Sequence, residues 1–99
     1  MTALELMKSE IPDGGAKIIS VNERLAIAVF RVGNRVAAID NRCPHAGGSI
    51  GMGPFDGTVV KCPLHAFRIN VWTGVGNAGK RVRIFAVHVE DERISVSLD

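Results

Sequence analysis

Residues 25–40 read LAIAVFRVGNRVAAID, and the parsing of this stretch decides the fold. Two apolar, β-branched runs, Leu25–Val32 and Arg35–Ile39, flank the pair Gly33-Asn34. Gly and Asn tolerate the positive φ that a two-residue connection needs, so the stretch predicts a β-hairpin. Its longest apolar run, Leu25 to Phe30, has six residues, which suits a strand. A membrane-crossing helix needs roughly 20.

Working outward, Lys17 to Val21 predicts a preceding strand, joined to the hairpin by a turn at Asn22-Glu23. Downstream, Thr58–Lys61 and Phe67–Val71 predict a second strand pair with Cys62-Pro63-Leu64-His65 between them. Arg81 to Val89 alternates basic and apolar residues, the pattern of one strand with one wet face. Glu90-Asp91 marks the next turn and Arg93 to Leu98 the closing strand. Met1–Lys8 is the one helix candidate, ended by Pro12-Asp13-Gly14-Gly15. Strands at such short, even spacing predict an all-β fold, an antiparallel sandwich or small barrel.

The 99 residues suit a single domain, 1–99. A hydrophobic content of 46% with 22% charged residues argues against disorder. The net charge is +2, and the cations are dispersed apart from Lys80, Arg81 and Arg83, which read as a solvated strand face. Nucleic-acid domains usually show a denser basic stripe with stacking aromatics, and with no Tyr and one Trp here no nucleic-acid partner is expected. No membrane association is expected either. Met1–Lys8 lacks a basic region followed by an apolar core and a cleavage site, which predicts a cytoplasmic protein.

The composition changes in the middle of the chain. Residues 43–57, CPHAGGSIGMGPFDG, hold five Gly and two Pro in fifteen positions, so they form a loop rather than a regular element. Gly74, Gly76 and Gly79 mark a further irregular stretch. Cys43-Pro44-His45 and Cys62-Pro63-Leu64-His65 place one thiol and one imidazole in each of two loops. Two sulfurs and two nitrogens suit either zinc or a [2Fe–2S] cluster of mixed ligation. Structural zinc knuckles usually pair like with like, whereas each half here is mixed. A two-iron centre accounts for that better, each loop giving its Cys to one iron and its His to the other. Zinc, as the staple of a binding module, stays the rival.

The boxes CPHAGG and CPLHAFRINVWTG resemble those of the Rieske [2Fe–2S] ferredoxin family, and the similarity runs from about Leu25 to Leu98. The resemblance implies a basal β-sheet domain with an inserted cluster-binding subdomain of two loops, at about residues 41–74. It implies that Cys43 and Cys62 bind one iron, while His45 and His65 bind the outer iron through Nδ1 with Nε2 near solvent. His88, alone in a strand, reads as structural. Phe67 and Trp72 read as core beneath the second loop, and Met52 and Phe55 as shielding or loop filling.

Replacing two thiolates by neutral imidazoles makes reduction easier, so Rieske potentials lie at roughly −150 to +300 mV against about −400 mV for all-cysteine ferredoxins. High-potential members of the family add an extra cysteine to each box and hydroxyl donors to the cluster. This chain has two cysteines and no Tyr, which predicts a potential in the lower half of the range. The resemblance implies a ferredoxin between a flavin-containing reductase and a terminal oxygenase. A partner covering the loop tips would meet Arg42, Lys61 or Arg68 on the rim. At 99 residues the chain is too short for an oxygenase's catalytic domain. IDNRCPHAGGSIG and GVGNAGKRVRIF look somewhat nearer the small subunit of an assimilatory NAD(P)H nitrite reductase, the alternative reading.

Overall fold

The computed structural model describes residues 3–44, 48–63 and 67–98. Among these, nine strands form in chain order: β1 Ala3–Met7, β2 Ala16–Ser20, β3 Ala26–Val32, β4 Arg35–Asp40, β5 Val59–Lys61, β6 Arg68–Asn70, β7 Ile84–Phe85, β8 Val87–Glu90 and β9 Arg93–Ser97. They assemble into three antiparallel sheets, ordered β1-β9-β8, β2-β3-β4-β7 and β5-β6.

The β3–β4 hairpin turns at Gly33-Asn34, with Val32 opposite Arg35 and Gly33 at φ +62°. Positive φ at the first central position is the pattern of a II′ turn, whose twist matches the strands it joins. The strands of this hairpin are apolar on both faces because both faces are covered. Ala28, Phe30, Ala37 and Ile39 join one core with Cys43, Val60, Cys62 and Ile69. Ile27, Val29 and Ala38 join a second core with Leu6, Phe85, Ile94 and Val96. A sheet buried on two sides shows a continuous apolar run instead of alternation, which is what residues 25–40 display. The sheet β1-β9-β8 closes over one face, and the β5–β6 hairpin with its flanking loops closes over the other.

Two sequence expectations are corrected. The N-terminal segment is a strand and not a helix: β1 pairs along its length with β9, from Ala3 opposite Ser97 to Met7 opposite Arg93. Its helix-forming composition is overridden because so short a segment is marginal as a helix, whereas edge pairing satisfies its backbone and buries Leu6 against Ile94. The stretch from Arg81 to Val89 is likewise not one strand. Val82 fills the first core and Phe85 the second, so the segment crosses between them. It pairs with β4 at Ile84–Phe85, breaks at Ala86, and resumes in the other sheet as β8. His88 on β8 is a surface residue, with Nε2 3.7 Å from the Glu90 carboxylate.

Candidate metal centre

The two cysteines head two loops that the backbone closes in the same way. The N–H of Cys43 donates to the carbonyl of Gly48 at 2.9 Å, and the N–H of Cys62 donates to the carbonyl of Phe67 at 2.7 Å. Each bond spans five residues, so both boxes are pinned at neck positions of equal spacing. Both thiols are free of disulfide and about 1% exposed, and both belong to the same core. The prolines that follow them, Pro44 and Pro63, are exposed. His45 and His65 lie outside the described residues, within the spans that the two closures bracket.

Neighbouring groups hold the loops in place. Asn41, 8% exposed, ties the two ends of the first loop together. Its Nδ2 donates to Ser49 Oγ at 2.8 Å, its Oδ1 accepts from Gly51 N–H at 2.7 Å, and its carbonyl accepts from Ile50 N–H at 2.8 Å. The chain then makes a 3₁₀ turn at Ile50–Met52 and runs, at Gly53, against the second loop's root. A Cβ at Gly53 would stand 1.7 Å from the Lys61 carbonyl oxygen, so only glycine permits this approach. In this way the tail of the first loop is packed directly against the start of the second.

Side-chain amides and carboxylates shape the remaining turns. Asp56 Oδ1 accepts from the N–H groups of Thr58 and Val59, and these bonds, Val59's first, hold its carboxyl below the ordinary value of 3.8. Asn70 Oδ1 accepts from the backbone N–H groups of Trp72 and Thr73, and Asn77 Oδ1 accepts from the backbone N–H of Arg68 at 2.6 Å, which fastens the third loop, the irregular stretch around Gly74, Gly76 and Gly79, to β6. Phe67 is buried, and its ring lies where a Cβ on Gly76 would meet it at 2.7 Å. Trp72 is half-buried, donates from Nε1 to Gly57 at 3.0 Å, and carries the Arg35 guanidinium over its ring at 4.1 Å. Phe55 fills the loop by packing on Phe30, with ring centroids 4.8 Å apart, whereas Met52 is 72% exposed.

The arrangement fits a thiolate-ligated centre. Two buried, unbridged thiols share one core at the heads of matched loops, and thiolate is the cysteine form that binds metals. Among the described residues no group of three or more His, Cys, Asp or Glu side chains is placed to hold a metal. Sequence reasoning found the cysteines but missed Asn41, Gly53 and Asn77. Their signals were faint: Asn41 stands two residues before Cys43, and Gly53 is one of many glycines.

Comparisons with known proteins agree with this geometry. The profile of the Rieske [2Fe-2S] domain matches residues 3–86. The 3-phenylpropionate/cinnamic acid dioxygenase ferredoxin subunit of Shigella boydii serotype 4 is 33% identical over 94 residues, 91% of this chain and 87% of that protein. A naphthalene 1,2-dioxygenase system ferredoxin component from Pseudomonas aeruginosa is 29% identical over 92 residues, 90% of this chain and 88% of that protein. The ferredoxin of carbazole 1,9a-dioxygenase from Nocardioides aromaticivorans superposes with a TM-score of 0.88 at 29% identity, covering 98% of both chains. A chain in a complex of reduced oxygenase and oxidized ferredoxin of carbazole 1,9a-dioxygenase also scores 0.88, at 27% identity over 96% of this chain and 92% of that one. A nitrite reductase small subunit from Mycobacterium tuberculosis scores 0.82 at 17% identity, covering 96% of this chain and 93% of that one, a likeness of fold alone.

Proposed function

Because this chain belongs to the Rieske [2Fe–2S] domain family and carries that family's cluster, we propose that it is a ferredoxin passing single electrons from a flavin-containing reductase to a terminal oxygenase. The observation that carries this reading is the pair of buried, unbridged thiols at the heads of two identically closed loops. Cys43 and Cys62 would hold one iron of the cluster, and His45 and His65 the other. The bound cluster supplies one reversible electron at a potential above that of all-cysteine centres.

The chain's own residues position and insulate that centre. Core packing around Cys43 and Cys62 keeps water from the sulfur side, while the Gly48 and Phe67 closures fix the two loop necks. Asn41 braces the first loop and the Gly53–Lys61 approach packs it against the second, so little can move when the charge of the site changes by one. The exposed Pro44, Pro63 and Met52 surround the loops with a surface that a partner can cover. Cytoplasmic residence is part of this reading. No described helix is long and apolar enough to cross a membrane. The single domain 1–99, with a cluster-binding subdomain at about 41–74, is the organisation proposed. The relatives named as dioxygenase ferredoxins favour this over the nitrite reductase small subunit.

The test is direct. Anaerobically purified protein is red-brown, with iron and acid-labile sulfide in equal amounts. Cys43→Ser, Cys62→Ser, His45→Ala and His65→Ala each abolish the visible absorption. Colourless protein containing zinc, or a cluster retained after loss of both histidines, overturns the assignment.

A further inference from the structure

The charges of this molecule are divided between its halves. Residues 41–83 carry six Lys or Arg against one carboxylate, Asp56, while the rest of the chain carries six against nine. The positive half is the one that bears both thiols. Within it a groove of about 650 Å³ runs beside the second loop, between Asp56, the β5–β6 hairpin and Asn77 of the third loop.

Lys61 and Arg68 line this groove, both exposed, directly opposite each other in the β5–β6 register. Like charges opposed across a strand pair are destabilising, so this pairing costs the isolated protein something. Among the described residues neither cation forms an ion pair. Asp56, the carboxylate that also lines the groove, has Oδ1 engaged by the N–H groups of Thr58 and Val59 and feels the charge of Arg68 without forming an ion pair with it. Asn70 and Asn77 also line the groove, and both turn Oδ1 to backbone donors, which leaves their NH₂ groups as further donors. Phe55 and Val59 supply an apolar floor. A wall of cations and amide donors over an apolar floor matches a carboxylate on a short hydrocarbon stem. Lys61 immediately precedes Cys62, and Arg68 immediately follows the loop's closing residue.

We propose that this groove docks an acidic loop of the protein that exchanges electrons with this chain, its Asp or Glu side chains entering between Lys61 and Arg68. The inference rests on the ferredoxin reading and deepens it: the partner's contact surface is acidic, and it seats beside the second loop. Opposite charge on the two faces speeds encounter and fixes orientation, so the effect falls with salt.

A dye-labelled hexaglutamate peptide serves as the probe, titrated by fluorescence anisotropy against the holoprotein at low and high salt. Binding saturates at low salt and weakens as salt is raised. Lys61→Gln with Arg68→Gln lowers the affinity by about tenfold or more. Lys17→Gln with Arg93→Gln, which removes the same net charge from β2 and β9, leaves it within about twofold. Equal losses in both double variants, or no loss in the first, overturn the proposal, as does competition by sulfate as strong as by unlabelled peptide at equal ionic strength. Visible absorption of the same samples tests the ferredoxin reading separately: colourless protein sinks that reading and leaves the peptide result standing.

Discussion

Replacing Gly53 with alanine tests whether the two loops form one rigid site. The added Cβ would lie 1.7 Å from the Lys61 carbonyl oxygen, against a practical minimum of 3.0 Å, so the backbones must part by about 1.3 Å. Neither side yields freely: Gly53 N–H is bonded to Ile50 and Lys61 N–H to Pro54, each at 3.0 Å. Overpacking costs about 1–3 kcal/mol and a lost backbone bond about 1 kcal/mol, which gives about 2–4 kcal/mol. For a domain of this size that lowers Tm by about 10–25 °C. Gly14→Ala is the control, at φ +78° with nothing within 4 Å of the new Cβ. It carries only the left-handed backbone strain of about 1–2 kcal/mol and leaves the loops untouched. Thermal melts and iron and sulfide assays on both variants decide the matter. Gly53→Ala loses most of its iron, and Gly14→Ala keeps it. A Gly53→Ala protein with wild-type Tm and full iron would refute the reasoning.

Three further outcomes follow from the same features. Asn41→Ala leaves the half-buried Gly51 N–H without its acceptor and frees Ser49, a loss of about 2–3 kcal/mol readable as a lower denaturant midpoint at unchanged slope. Asp56→Ala removes a carboxylate whose folded pKa is lowered, chiefly by the Val59 N–H, and such a group stabilises above its unfolded value and ceases to as pH falls. The Tm gap between wild type and Asp56→Ala is therefore widest near neutral pH and narrows as pH drops below 3.8; a gap that persists in acid contradicts this. Redox titration gives a midpoint at about −150 to 0 mV, since neither a third box cysteine nor a tyrosine is present. A value above about +150 mV contradicts that reading.

Much of this architecture was legible locally. The hairpin at residues 25–40, the strand pair around the second box and the closing strand are each set by neighbours a few positions apart, where turn chemistry and β-branched runs suffice. The cysteines were legible because proline and glycine surround them in two matched boxes. What escaped was whatever depends on partners distant in the chain. The helix-forming segment Ala3–Met7 becomes a strand because β9, some ninety residues away in sequence, offers its edge. Arg81 to Val89 breaks because it serves two cores in turn, which no periodicity within the segment records.

The sequence by itself determined the donor types and their spacing, the all-β class and the two-residue turn at Gly33-Asn34, since these rest on local covalent chemistry and backbone preference. Tertiary structure alone decided that both faces of the central sheet are covered, that β1 pairs with β9, and that Arg81 to Val89 passes from one core to the other. Those are statements about distance between residues far apart along the chain, and distance is fixed only when burial and hydrogen bonding bring the segments together.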